Sequence, residues 1–524
     1  MKFKKVLAVL MTSALIMGMS MTTFAKSPGA DNVYGTSDDF GTITVNGITA
    51  EEGLTVTAYP IVKADYDETT NNFEGYTSLY PNIITDVEDI DQEDLNSIIS
   101  QIKEEYGRYP MSIPSGGDGT SYTADVPVGA YLVMITGAET KVYNPVVVSV
   151  DYENNQGSND LGEGTVTLTD DNAWVKVSNV PTIDKVIVEG QDESKGNSVD
   201  IGDSVNYEVT ISPVPNYGGE HPVLNVVDTL SVGLSYNDDL SVKLIGAGAD
   251  GSDVPLVLGT DYTLTPGTNE EGLVTLTVDF VVNGNYTLNS YAGKEVVITY
   301  SAKVTENALV NEDGNGNDVD LNYTTDSKTT GNDGKDEDKT YTYTFDIDGE
   351  TTGDIVTKVG EDQYKNALPD AVFGLYTDSK CTKLYTNDKF DTGYVTSDGE
   401  GQLYISGLEE GTYYLKETQA PEGYSLNTEV FKIDIAAVYN EDGTLKSWTI
   451  KINDTATSTF NVSHDSGTPV VEDDIQGTDI QNTKLSSLPS TGGIGTTIFT
   501  IGGCVIMITA AGLYFASRRR HENK

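Results

Sequence analysis

The sequence predicts an all-β protein of three tandem β-sandwich domains, flanked by an N-terminal secretory segment and a C-terminal membrane-spanning segment. Short alternating runs recur between Gly, Asn and Asp turns, as in Thr42-Ile43-Thr44-Val45, Val146-Val147-Val148-Ser149-Val150 and Leu273-Val274-Thr275-Leu276-Thr277-Val278. No long amphipathic helical pattern dominates. The single helical candidate, Gln92 to Tyr106, puts Leu95, Ile98, Ile99 and Ile102 on one face within the first domain. The 524 residues include 53 Gly and 31 Tyr, which favours strands and turns, and a hydrophobic content of 37% suffices for packed cores. With 81 Asp+Glu against 31 Lys+Arg the formal net charge is −50, which excludes a nucleic-acid binder. Two Cys make no disulfide framework, and three His make no convincing metal or acid–base centre. Neither a cofactor nor a metal is implied.

Residues 1–25 read as a signal peptide. Lys2, Lys4 and Lys5 are its charged start, Val6 to Met17 its apolar stretch, and Thr23-Phe24-Ala25 its small-residue cleavage site. At the other end, 488–524 opens with Leu488-Pro489-Ser490-Thr491-Gly492. A run from Ile494 to Ala516 follows, long enough to cross a bilayer, and then Arg518, Arg519 and Arg520. Between the ends, Asn179-Val180-Pro181-Thr182 reads as a short linker. Thr324 to Lys339, almost free of apolar residues, reads as a second. The expected domains are 30–178, 180–326 and 340–486.

Pentapeptide, span and basic tail, in that order, resemble the cell-wall sorting signal of Gram-positive surface proteins. The resemblance implies that a sortase cleaves between Thr491 and Gly492, its cysteine taking the Thr491 carbonyl as a thioester, and that the product is anchored to peptidoglycan.

Three clusters in the last domain suggest covalent chemistry. Val356-Thr357-Lys358-Val359 puts a Lys in a strand-like run. In Gly411-Thr412-Tyr413-Tyr414-Leu415-Lys416-Glu417-Thr418-Gln419-Ala420-Pro421-Glu422-Gly423-Tyr424, counting by twos sets Glu417 on the face of Tyr413 and Leu415, the expected core face. Ile480-Gln481-Asn482-Thr483 offers an Asn in the last strand. Burial makes a Lys a neutral nucleophile and keeps a carboxylic acid protonated, able to polarise an Asn carbonyl and shuttle protons as ammonia leaves. A buried ion pair is the plainer use of the same residue types. The set closely resembles the collagen-adhesin B-type domain of pilins, with its Lys, its "KETxAPxGY" box and its terminal Asn. That implies three tandem immunoglobulin-like, collagen-adhesin B-type β-sandwich domains, and an isopeptide bond between Lys358 and Asn482 promoted by Glu417.

The middle domain resembles a related pilin domain. Lys185 stands in its opening strand, Pro181-Thr182-Ile183-Asp184-Lys185-Val186-Ile187-Val188. Val226-Val227-Asp228-Thr229-Leu230 before Gly233-Leu234-Ser235-Tyr236 matches the family's "DTL…GL.Y" element. Asn317-Asp318-Val319-Asp320-Leu321-Asn322-Tyr323 resembles its closing strand. The resemblance implies a bond from Lys185 to Asn317 promoted by Asp228, with Asn315 and Asn322 as rival acceptors. The first domain has no Lys in its opening strand and carries Met134 where the box would have Glu, so no bond is expected there.

Polymerised pilins also need a Lys that attacks the Thr thioester of the next subunit. In familiar pilins it usually follows Tyr-Pro; here the nearest echo, Tyr143-Asn144-Pro145, has no Lys after it. Lys176, at the end of the first domain, is the first choice, ahead of Lys141 and Lys195. The reading is a non-enzymatic backbone subunit of a sortase-assembled surface pilus that supports adhesion. Its expected partners are sortase, identical subunits, minor pilins, peptidoglycan and host or glycan ligands, with no nucleic acid. The alternative is a wall-anchored monomeric adhesin or a minor or basal pilin. A wall-anchored glycosidase is a remote rival, because no pair of acids stands out.

Overall fold

The computed structural model describes residues 35–521 apart from 88, 106–110, 116–118, 155–165, 170, 219–221, 326–333, 350–351, 362, 465–467 and 486–493. The expected signal peptide and the pentapeptide Leu488 to Gly492 therefore lie outside the described residues. Strands dominate what lies between, grouped around three successive cores.

The first domain sets a small sheet, Asp171–Trp174, Phe40–Asn46 and Ser121–Pro127, against a larger one. The larger sheet runs Phe73–Ser78, Thr55–Tyr66, Gly129–Thr136, Val146–Asn154, Val166–Thr169. Its central strand Gly129–Thr136 is buried on both faces, which period-two alternation explains. Tyr131, Val133 and Ile135 face the sandwich interior. Leu132 and Met134 face the helix Gln92–Glu105, whose Leu95, Ile98, Ile99 and Ile102 form a second core there. Asp91 and Asp94 cap that helix reciprocally: Asp94 N–H donates to Asp91 Oδ1 (2.9 Å) and Asp91 N–H to Asp94 Oδ2 (3.2 Å).

A seven-stranded and a six-stranded sheet enclose the middle core. One is built on Thr182–Glu189, Ser204–Ser212 and Glu295–Val304, the other on Gly334–Tyr343, Asn315–Tyr323 and Leu224–Leu230. Gly334–Tyr343 corrects the second expected linker. Its residues 334–339 pair in register with Asn315–Tyr323 and so belong to the middle sandwich. Charge, not apolar alternation, holds them. Lys335 and Lys339 meet Asp320 and Asp318 across the strands, both at 2.9 Å. Asp336 and Asp338 accept the backbone N–H groups of Ile183 (2.8 Å) and Lys185 (2.6 Å).

The third domain stacks a seven-stranded sheet, with Gly411–Gln419 and Val430–Tyr439 inside it, on a short parallel pair, Val356–Gly360 and Thr478–Asn482. Trp448 and Phe460 stack at 4.5 Å in its core. The joints between domains are bonded. Val142, from the first domain's strand Lys141–Tyr143, reaches the middle core. Asn144 Nδ2 donates to Asn216 Oδ1 (2.6 Å). Ile201 N–H donates to Gly407 O (3.1 Å), and the Tyr385 hydroxyl to Asp200 Oδ1 (2.6 Å). The helix Ile494–His521 contains a 21-residue stretch, Ile498–Arg518, of mean hydropathy 2.0, long and apolar enough to cross a membrane.

Candidate cross-linking sites

In the third domain the strands Val356–Gly360 and Thr478–Asn482 run side by side, with Lys358 opposite Ile480 and Gly360 opposite Asn482. Gly411–Gln419 alternates as expected, so Tyr413, Leu415 and Glu417 all point into the core. Lys358, Glu417 and Asn482 are at most 1% exposed. Lys358 Nζ donates to Asn482 Oδ1 (2.6 Å) and to Ile480 O (2.9 Å), and lies 3.6 Å from Glu417 Oε1. Asn482 Nδ2 donates to both Glu417 oxygens, at 2.9 and 3.1 Å. The amide thus turns its oxygen to the amine and its nitrogen to the acid. Only a C=O bond, about 1.2 Å, separates Oδ1 from the carbon an amine would attack. Burial holds the Lys358 ammonium below the usual lysine range, against the pull of Glu417.

The middle-domain set spans the sandwich. Lys185 alternates with Ile183 and Ile187 and so points inward from Thr182–Glu189. Asp228 and Asn317 face it from the opposite sheet. Leu230 pairs with Asn317 and Asp228 with Val319, so Asp228 and Asn317 are diagonal neighbours. Lys185 Nζ donates to Asp228 Oδ2 (2.6 Å) and to the Tyr300 hydroxyl (2.9 Å). The Tyr300 hydroxyl donates to Asp228 Oδ1 (2.8 Å) and accepts from Asn317 Nδ2 (2.7 Å). Lys185 and Asn317 are wholly buried and Asp228 is 3% exposed. Burial lowers the Lys185 pKa and raises that of Asp228, each shift opposed by the partner's charge. The rival acceptors are spent elsewhere. The Asn315 amide bonds Leu309 and Thr342 backbone carbonyls, and Asn322 Nδ2 donates to Asn225 Oδ1. Tyr300 has no counterpart in the motifs; it comes from the strand Glu295–Val304, whose sequence is that of any core strand.

In the first domain, Met134 packs beneath the helix. Lys176 lies between Asp171–Trp174 and Val177–Asn179, half-buried, with no side-chain hydrogen bond or ion pair among the described residues. Its rivals are engaged: Lys141 Nζ with Asn179 Oδ1 (2.5 Å), Lys195 Nζ with Asp184 (2.7 Å) and Asp338 (2.5 Å). Val177–Asn179 pairs with Lys141–Tyr143, and Asn144 N–H donates to Lys176 O (3.0 Å). The Tyr143-Asn144-Pro145 segment, distant in sequence, therefore lies beside Lys176. Trp174 and Val177, on either side of it, are 61% and 47% exposed.

Four family models match successive parts of the chain. They are a T6 antigen Ig-like domain at 38–179 and a Gram-positive pilin backbone subunit 2, Cna-B-like domain at 201–327. A prealbumin-like fold domain (SpaA) matches 355–454 and an LPXTG cell wall anchor motif 480–524. The trypsin-resistant surface T6 protein of Streptococcus pyogenes serotype M6 is 27% identical over 541 residues, 92% of this chain and 96% of that one. The three-domain T6 backbone pilin structure of the same organism superposes with a TM-score of 0.53 at 20% identity, over 86% of this chain and 100% of that one. The full-length major pilin SpaD of Corynebacterium diphtheriae overlaps at a TM-score of 0.43 and 17% identity, over 86% of this chain and 98% of that one.

Proposed function

The chain is a backbone pilin built of Gram-positive pilin modules ahead of a cell-wall anchor, and from that premise we propose how it polymerises and resists force. Sortase cuts between Thr491 and Gly492 and holds the Thr491 carbonyl as a thioester. The Lys176 amine of the next subunit attacks that carbonyl and displaces the sortase thiol, leaving an amide between subunits. One donor and one acceptor at separate places on each subunit give a linear, head-to-tail fibre. The last subunit is passed to peptidoglycan. Minor pilins and host or glycan ligands would be met along or at the tip of that fibre, and its acidic surface keeps it solvated.

Inside each subunit, neutral Lys358 attacks Asn482 Cγ while Glu417 relays a proton from the attacking amine to the departing nitrogen, and Lys185 attacks Asn317 in the same way beside Asp228. A bond forms between Nζ and Cγ, the Cγ–Nδ2 bond breaks, and ammonia leaves. The observation that carries this reading is the buried Lys358–Asn482–Glu417 contact between the strands Val356–Gly360 and Thr478–Asn482 near the two ends of the third domain. Joining those strands stops a pull on the chain ends from extending the domain.

The test is a blot of cell-wall extracts run under denaturing, reducing conditions, wild type beside Lys176→Ala. A high-mass ladder that collapses in the variant is expected. A single band in the wild type would overturn the polymer, and a ladder that survives would overturn Lys176 as its acceptor.

A further inference from the structure

We propose that Tyr300 is a catalytic residue of the middle-domain cross-link, moving the proton from the attacking Lys185 amine to the departing Asn317 nitrogen. This rests on the cross-link reading above and adds a residue to it. The two sites differ in how the acid reaches the amide. In the third domain Glu417 receives Asn482 Nδ2 directly on both oxygens. The middle domain has Asp228, one methylene shorter, and among the described residues no hydrogen bond joins it to Asn317. The Tyr300 hydroxyl fills that span. Among the described residues it is the one group that hydrogen-bonds Lys185 Nζ, Asp228 Oδ1 and Asn317 Nδ2 together, at 2.9, 2.8 and 2.7 Å.

The ring is held for the task. Tyr300 is 4% exposed, stacks on Tyr207 at 5.1 Å and meets Tyr236 edge-on at 6.1 Å. All four side chains are buried from bulk solvent, which favours a proton path through side chains. When neutral Lys185 adds to Asn317 Cγ, Nδ2 changes from a planar amide nitrogen into an amine with a free lone pair. The hydroxyl then turns from Asp228 Oδ1 to Nδ2 and delivers its proton there while taking one from Nζ. The Cγ–Nδ2 bond breaks, ammonia leaves, the isopeptide remains, and Tyr300 ends as it began. Asp228 holds the amine and the hydroxyl in place beforehand. A positioned proton carrier of this kind contributes about 10²–10⁴ in rate.

The experiment is intact-mass spectrometry of the folded, secreted ectodomain (26–491) as wild type, Tyr300→Phe, Tyr236→Phe and Asp228→Ala, sampled over time after synthesis. Phe keeps the ring and removes only the hydroxyl. Tyr236 is the matched control: its ring packs on Tyr300, but its hydroxyl accepts the Leu240 N–H (2.9 Å), away from the reacting groups. The Asp228→Ala protein fixes the mass of a folded subunit carrying the third-domain bond alone. Wild type and Tyr236→Phe are expected to lack two ammonias, and Tyr300→Phe to lack one at early times, its second loss slowed about a hundredfold or more. A Tyr300→Phe protein that loses both at the wild-type rate overturns the role of Tyr300. A wild type that retains every ammonia overturns the cross-link reading itself, a result the variants cannot imitate.

Discussion

Lys358 Nζ lies 2.6 Å from Asn482 Oδ1, although the two residues are 124 positions apart and stand on strands near the two ends of one domain. Neither is exposed to solvent. The contact encloses almost the whole domain in a single loop, so whatever joins these two residues governs how the domain unfolds.

Closing such a loop covalently is worth roughly 4–5 kcal/mol by the chain-entropy model. Measured against the mass of its own sequence, each of Glu417→Ala and Asn482→Ala is expected to have lost one ammonia fewer than wild type, and to lose about that much stability in the third domain. Intact mass with calorimetry checks both. An equal mass deficit, each chain against its own sequence, in wild type and variants would contradict the bond.

Mechanical behaviour should follow. Single-molecule pulling from the two ends should show no extension of the third domain in wild type, and a step of roughly a hundred residues' contour length in Asn482→Ala. A wild-type step of that size would contradict the strand linkage.

Gly401 sits against Lys358 in a backbone conformation that favours glycine. At φ +82° an added Cβ would stand 2.5 Å from Lys358 O, and Gly401 O accepts the Lys358 N–H (2.7 Å). Gly401→Ala is expected to destabilise the domain by about 1–3 kcal/mol and to slow loss of the third-domain ammonia. Thermal melting and timed mass spectra give the two readouts.

Asp348 supplies a pH dependence. Burial pushes its carboxyl up to about 7, even though it accepts the N–H groups of Val356, Leu403 and Ile355. The folded state therefore binds this proton more tightly than the unfolded chain does. Its contribution is complete below the ordinary aspartate pKa and is lost as pH rises through about 7, on the order of 4 kcal/mol in all. The third domain should melt higher at pH 5 than at pH 8, and Asp348→Asn should flatten that difference. A slope unchanged by the substitution would exclude Asp348 as its source.

Much of this was legible in residue order. Alternation placed Glu417 inward beside Tyr413 and Leu415 before any coordinates, and the helix face of Leu95, Ile98, Ile99 and Ile102 was equally plain. Asn317 needed the fold, because only the sheet register shows that Asn315 and Asn322 bond elsewhere. Gly334–Tyr343 misled because a strand can be held by charges. The readable signal was Lys335 and Lys339 set to face Asp320 and Asp318 on the neighbouring strand. Tyr300 left no signal at all: its neighbours are ordinary core residues, and its hydroxyl gains meaning only where three other strands converge on it.

The most direct test of the fibre is to digest the high-mass wall polymer and sequence its branched peptides by mass spectrometry. Expected is a peptide ending at Thr491 whose carboxyl carbon is bonded to the Lys176 side chain of a second peptide. Recovery of Thr491 joined to peptidoglycan alone, with every Lys176 side chain free, would contradict head-to-tail assembly through that residue.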